Sequence, residues 1–494
     1  MSDPRERSQP IASLVSLFLA CLLLCGIASA APSITLSKKS GPPTSKILVS
    51  GGGFEPNVGV DIFFDTKDRA LVVTNGEGEF HDAGIFAPRS ARPGEHWVTA
   101  LERNNDKGAQ EPFLVQTDWG EFHFDADGTR LNPFENVLNT KSVAGLDLNW
   151  SYKAPAANSS PTVANGVVYV GSSDYNVYAL SEETGAKLWS YTTGGDTSYS
   201  SPAVANGIVY VGSDDGHLYA LMAKSGALAW RRKVGLAVDS SPAVANGMVY
   251  ICSDGLQALK ATTGGIVWSY PLSCATSSPV VANGVVFVGS FEYVYALNAF
   301  TGAMLWSYKT GAWFNSSPAV ANGTLYIGSE DYNVYALDAS SGTKLWSYST
   351  GYYVYSTPAV DSGVVYVGSE DGFLYALNGQ TGALQWRFTN GEGQVVCSPA
   401  IANGVVYAAT FHFYAVNAKT GALLWSYRAG NANVLSSPTV VNGRVYVASG
   451  LEQIYAFALT NADEVIQKEI YKRPDLRTLR PDFNLKVSNP VATP

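Results

Sequence analysis

The sequence predicts an all-β protein built on an eight-bladed β-propeller of four-stranded antiparallel blades, with a small β-sandwich in front of it. Three observations carry this. The 494 residues include 48 glycines and 28 tyrosines but only 4 methionines, a composition that favours strands and tight turns over helices. Eight tryptophans, Trp150, Trp189, Trp230, Trp268, Trp306, Trp346, Trp386 and Trp425, fall at intervals of 38 to 41 residues, and a period near 40 marks one supersecondary unit per repeat. Asn-Gly recurs once per period at 165, 206, 246, 283, 322, 403 and 442, with Ser362-Gly363 in the remaining copy. That dipeptide suits a two-residue hairpin because both residues reach positive φ readily.

At the start of the chain, Arg5 and Arg7 precede an apolar run from Ile11 to Ile27 that ends in Ala28-Ser29-Ala30. This is the pattern of an export signal over residues 1–30, cleaved after Ala30. A retained anchor, or lipidation at Cys21 or Cys25, are the alternatives. No later segment reaches the roughly 20 apolar residues of a membrane span, so a protein of the periplasm or cell surface is expected. Residues 31–118 hold alternating apolar segments, Ser33–Leu36, Lys46–Val49, Val60–Phe64 and Trp97–Leu101, between glycine and proline turns. That spacing fits a compact sandwich. Residues 119–144 form a connector whose Trp119, Phe122, Phe124, Phe134 and Leu138 are expected to pack on the propeller.

The repeat array spans residues 145–460, and its unit is legible in SSPAVANGTLYIGSEDYNVYALDASSGTKLWSY, Ser316–Tyr348. An inner strand leads through Asn322-Gly323 into a second strand, Glu330-Asp331 turns into a third, and Ser341-Gly342 turns into an outer strand carrying Trp346. A lone blade leaves both faces uncovered, so blades stack in a circle that must close to leave no unpaired edge. Seven copies end in a (T/S)-G-x-x-x-W strand, but the last has none, and the missing strand stands ahead of the array as Leu146–Trp150. The eighth blade is therefore expected to borrow its outer strand from the start of the array. Residues 461–494, with four prolines and clustered charges, are expected to be an extended surface tail or disordered.

The net charge of −9 disfavours nucleic acid and anionic membranes as partners. Outside the leader only Cys252, Cys274 and Cys397 remain, an odd number that excludes a disulfide framework. Cys252 and Cys274 could pair across neighbouring units, with buried free thiols the commoner state. The five histidines show no ligand spacing, and no G-x-S-x-G, H-E-x-x-H, phosphate-binding loop, Cys-Cys pair or C-x-x-C-H is present. Acids after the recurrent Gly-Ser, such as Asp174, Asp215, Glu330 and Asp371, read as turn chemistry.

The segments YALDASSGTKLWSY, YALNAFTGAMLWSY and YAVNAKTGALLWSY resemble the tryptophan-docking repeat of the pyrroloquinoline-quinone (PQQ) propeller superfamily, from about Trp119 to Phe457. The stretch SGPPTSKILVSGGGFEPNVGVDIFFD resembles immunoglobulin-like modules of bacterial surface proteins. The first resemblance implies that the eight tryptophans are structural, each docking one blade on the next. It also implies two branches: quinoprotein dehydrogenases with PQQ and calcium over the channel, and non-enzymatic propellers that bind proteins.

The inner strands, SSPAVANG and its variants, carry no charge apart from the turn residue Asp361. Calcium wants several hard oxygen ligands, and a quinone wants a base and cationic partners. Asp196, Asp239 and Glu392, just upstream of three inner strands, are the only rim acids available as metal ligands under the dehydrogenase alternative. The favoured expectation is a monomeric, non-catalytic scaffold without cofactor, binding an envelope protein or surface glycan. Its contact face is drawn from the loops that vary between copies, with Trp313, Phe314, Tyr352, Tyr353 and Tyr355 in two consecutive loops and Tyr332 and Phe373 in adjoining turns.

Overall fold

The computed structural model describes residues 31–494 apart from 156–157, 273, 275, 390, 429–433, 435, 450–452, 461–471 and 480–494. The expected export signal, with Cys21 and Cys25, lies outside the described residues.

The first unit packs two sheets face to face. Ser33–Leu36, Lys46–Gly52 and Phe80–Phe86 form one; Ser40–Gly41, Gly108–Val115, Gly94–Glu102, Gly59–Phe64 and Lys67–Val73 form the other. Alternation along each strand sends Ile47, Val49, Ile62, Phe64, Ile85, Val98 and Phe113 into the space between them, where all are buried. From Leu146 to Leu459 the described chain forms eight sheets of the expected blade topology.

In blade 5 the strands Ala319–Ala321, Thr324–Gly328, Asn333–Asp338 and Lys344–Ser349 lie in sequence order from the channel outward. The hairpin at Asn322-Gly323 has φ of +50° and +78°, and the equivalent pairs in the other seven blades repeat this. Blade 8 takes its outer strand, Leu146–Lys153, from the start of the array, where it pairs antiparallel with Gln453–Leu459. The last strand is thus held by the first, and the circle of blades is closed.

Three concentric rings of side chains join the blades. In the outer ring each tryptophan Nε1 donates to a carbonyl of the following blade, from Trp150 to Glu182 O (3.0 Å) round to Trp425 and Leu146 O (2.9 Å), which closes the circle. The glycine of the (T/S)-G turn makes room for seven of the eight indoles: Gly342, at φ +73°, lies so close that a Cβ would stand 2.6 Å from Trp306 Cε3. In the middle ring the tyrosine of the second strand packs on its own blade's tryptophan in six blades, as Tyr326 does on Trp346 at 5.9 Å, and Phe287 takes that place against Trp306 in blade 4.

The inner ring consists of the second serine of each SSP. Its backbone N–H donates to the hydroxyl of the next blade's counterpart, through Ser160, Ser201, Ser241, Ser278, Ser317, Thr357, Ser398 and Ser437 and back to Ser160, at 2.9–3.3 Å. The first serine of SSP ties its own blade together as well, as Ser316 Oγ accepts from Gly328 N at 3.2 Å while donating to Ser356 O of the next blade at 3.0 Å. The most repeated letters of the inner strand therefore serve closure.

The connector does more than pack on the array. From Trp119 to Asn132 it passes round the channel and meets every blade. It bonds Val163, Val204, Val244, Val281, Val320, Val360, Ile401 and Val440 in turn, through main-chain atoms except at Glu121 and Asn132, which use side chains. The inner strands bring no charge of their own, and the connector adds the buried Glu121, His123 and Arg130. Arg130 donates to Pro399 O (2.7 Å), Pro438 O (3.0 Å) and Phe122 O. Burial lowers its pKa to about 9 and raises that of Glu121 to about 8.

The expectation of free thiols at Cys252 and Cys274 is corrected. Cys252 and Cys274 form a disulfide, with Cα atoms 5.6 Å apart, and Cys397 is the buried free thiol. In five other blades a glycine closes the second strand, and in four of them a loop residue two positions before SSP packs on it: Val238 on Gly212, Phe314 on Gly289, Val354 on Gly328, Val395 on Gly368. In blade 3 the same contact is made by the two cysteines. Of the tail, residues 472–479 lie on the sandwich. Leu479 is buried against Phe63 and Leu101, Arg473 lies over the Trp97 ring at 5.2 Å, and Gln110 Nε2 donates to Pro474 O at 2.9 Å.

Candidate functional site

Strand direction gives the ring two unlike faces. The Asn-Gly and Thr-Gly turns lie on one, the loops into the inner strands on the other. The turn face is occupied. Asn165 N donates to Asp118 Oδ1 (2.9 Å), Asn442 exchanges hydrogen bonds with the Thr117 main chain, and the sandwich residues Gly94, Leu114 and Gln116 line a cleft of about 720 Å³ against Gly166, Thr184 and Gly443. The loop face carries no other part of the described chain.

At its centre is a funnel of about 190 Å³, floored by Phe122, walled by the hydroxyl ring and bordered by Asn158, Tyr199, Asp239, Thr276, Asn315 and Tyr355. The ring hydroxyls already accept main-chain N–H groups, so the wall is polar but largely committed. Asp239 has its pKa raised to about 7, first by burial, then by a hydrogen bond to Asp214 and the charges of Asp214 and Asp196. The structure thus brings Asp196 and Asp239 together with Asp214, while Glu392 sits elsewhere, 3.2 Å from His412 Nδ1. Among the described residues no three His, Cys, Asp or Glu side chains are placed to hold a metal ion, and no lysine or arginine lines the funnel to meet a quinone's carboxylates. The residues present do not fit PQQ with calcium.

The aromatic residues singled out from the loops separate into one cluster and three single placements. Tyr332 and Tyr352 stack at 5.4 Å, Tyr352 and Tyr353 touch at 4.5 Å, and Tyr353 stacks on Tyr355 at 5.7 Å, giving one continuous cluster at the funnel rim. Tyr332 and Tyr352 are 39% and 41% exposed. Trp313, 55% exposed, packs instead on Phe291, which is 51% exposed and escaped the sequence reading. Phe373 lies beneath Arg387, 4.3 Å from its guanidinium. Phe314 is 3% exposed, wedged on Gly289, and takes no part in the outer surface. The signal that could have separated it is its place two residues before SSP, held in other copies by Val238, Val354 and Val395.

The acids also separate. Asp174, Asp215, Asp331 and Asp371 each accept from the hydroxyl of the tyrosine four residues on, at 2.5–2.6 Å, and shape the turn. The acid one position earlier varies between copies and is free of that task. Glu330 receives Asn315 Nδ2 at 2.5 Å and a hydrogen bond from Tyr355, and Glu370 is close enough to feel its charge.

A closed ring of eight four-stranded blades, docked through one tryptophan each and plugged from the turn side, defines the class as a tryptophan-docked β-propeller. The chain belongs to the family described as outer membrane protein assembly factor BamB, a PQQ-repeat family whose profile matches residues 146–201, 193–273, 253–412 and 354–491. Among curated proteins no sequence matches it. Similar solved structures include quinohemoprotein alcohol dehydrogenase from Comamonas testosteroni (TM-score 0.60, 17% identity, 69% of this chain and 80% of that one). BamB from Moraxella catarrhalis (0.56, 18%, 63% and 99%) and a europium-containing methanol dehydrogenase (0.60, 15%, 69% and 98%) are others. At such identity these likenesses establish the fold alone.

Proposed function

We propose that the protein is exported to the cell envelope and acts there as a non-catalytic scaffold whose loop face binds a protein or glycan partner. The observation that carries this is the contrast between the faces. Connector and sandwich occupy the turn face, while the loop face presents exposed aromatic side chains around a funnel that lacks the groups a quinone needs. The family description supports it, since an assembly factor of the outer membrane works through protein contacts. Among the described residues no helix is long and apolar enough to cross a membrane. The sandwich, in this reading, holds the ring out from its point of attachment.

Capture from an envelope extract tests the face. Trp313→Ala with Tyr353→Ala should weaken partner capture while leaving the thermal transition of the ring unchanged. Undiminished capture would remove the loop face from the reading. The dehydrogenase alternative rests on structural likeness to quinoprotein enzymes and is tested by incubation with quinone and calcium followed by dye-linked alcohol or sugar oxidation. Turnover would overturn the scaffold assignment.

A further inference from the structure

The four clustered tyrosines share their corner of the rim with two carboxylates, and those carboxylates have no turn to shape. Glu330 and Glu370 come from the corresponding turns of blades 5 and 6, where Glu370 N donates to Tyr353 O at 2.9 Å and Glu330 accepts from Asn315 Nδ2 at 2.5 Å. The pKa of Tyr353 is raised first by Tyr352 and Tyr332 and then, more weakly, by these two acids. Tyr355 is pushed up to about 12, by burial first and then by these two acids. Both glutamates are themselves raised, by burial first. The corner therefore combines electron-rich ring faces with negative charge that is only partly hydrated.

The same face uses this chemistry on its own cations. Arg387 stacks on Phe373 at 4.3 Å, and Lys309 lies over Tyr293 at 5.6 Å while pairing with Glu292 at 3.0 Å. Among the described residues no lysine or arginine lies over Tyr332, Tyr352, Tyr353 or Tyr355. A ring face attracts a cation through its quadrupole, most strongly where water is partly excluded, and flanking carboxylates add direct charge complementarity.

We propose that Tyr332, Tyr352, Tyr353 and Tyr355, with Glu330 and Glu370, form a cage for an arginine or lysine side chain presented by a basic segment of a protein partner. This rests on the loop face being the contact surface and names the chemistry of what binds it. A neutral glycan would stack on tyrosines but would gain nothing from two unneutralised carboxylates, so the charge selects the cationic peptide. The overall charge of −9 favours encounter with a basic segment in the same sense.

The test is fluorescence anisotropy on the full chain with a labelled twelve-residue peptide alternating glycine and arginine. A glycine–glutamate peptide and a neutral glucose oligosaccharide, the latter by calorimetry, serve as comparisons. Tyr353→Ala should weaken binding of the arginine peptide about tenfold or more, as expected for a central aromatic contact. Glu330→Gln with Glu370→Gln, which keeps the shape of the site, should do the same, and Glu183→Gln on the turn face should not. No binding by the native chain, or equal affinity in all variants, overturns the proposal. Tyrosine-dependent binding of the oligosaccharide in place of the peptide also overturns it and assigns the face to a glycan. If partner capture depends on Tyr353 while the arginine peptide does not bind, the contact face stands and only its cationic ligand falls. If the peptide binds at the cage but capture is indifferent to Tyr353, the contact-face reading falls instead.

Discussion

Each serine of the SSP motif has a separate task, and the second is the more exposed to mutation because its hydroxyl is the acceptor for a buried N–H of the neighbouring blade. Ser241→Ala would leave Ser201 N–H without its partner at 3.0 Å. Loss of a buried acceptor costs about 1–3 kcal/mol, to be read as a lowered midpoint in urea. Gly342→Ala should cost at least as much, because the new Cβ meets Trp306 and the φ of +73° is strained for alanine. Glu121 is one residue that links stability to pH. Its pKa is raised by burial from 4.5 to about 8 in the folded chain. Below pH 4.5 both states hold the proton and the contribution is fully present. As the pH rises toward about 8 the unfolded chain gives up its proton first, so this part of the stability is lost across that window. Melting temperatures from pH 5 to 8 should fall in the native chain and change less in Glu121→Gln, the difference isolating this group.

Two elements hold the ring shut in different ways. The strand Leu146–Lys153 supplies the outer edge of blade 8 and receives the Trp425 indole, so deletion of residues 145–152 removes a sheet edge and a blade dock together. No soluble monomer should be recovered, and a well-folded deletion mutant by size exclusion and circular dichroism would contradict the closure. The disulfide joins a second strand to the loop leaving its own blade, 22 residues apart. Cross-links closing loops of that size stabilise by about 3 kcal/mol in the chain-entropy model. Cys274→Ser should lower the melting temperature under oxidising conditions, and added reductant should have little further effect on that variant. The connector is the element whose role the sequence concealed. Its aromatic residues announced packing, but nothing near Trp119 in the chain names eight inner strands whose members lie up to more than 300 residues away.

At the scale of the molecule, the proposed scaffold role rests on the division into an occupied turn face and an open loop face. It predicts that the capture defect of Trp313→Ala with Tyr353→Ala is not reproduced by substitutions on the turn face such as Glu183→Gln. Blade number, strand order, the hairpin turns and the borrowed strand were legible along the chain. Each follows from a local rule: Asn-Gly accepts positive φ, alternation sets the faces of a strand, and a missing copy of a repeated strand implies a donor. Which side chains meet was not legible wherever the contact crosses blades. Phe314 and Trp313 are adjacent in the same variable loop, yet Gly289 of the preceding blade receives the first and leaves the second in solvent. Cys252 and Cys274 looked like an odd remainder until the ring placed them in a contact that other blades make with glycine and a loop side chain. The sequence alone determined the scaffold, because repetition states the same short-range preferences eight times. The tertiary structure alone decided the plug, the free face and the tyrosine–glutamate corner, because burial and charge there depend on residues that only the closed circle brings together.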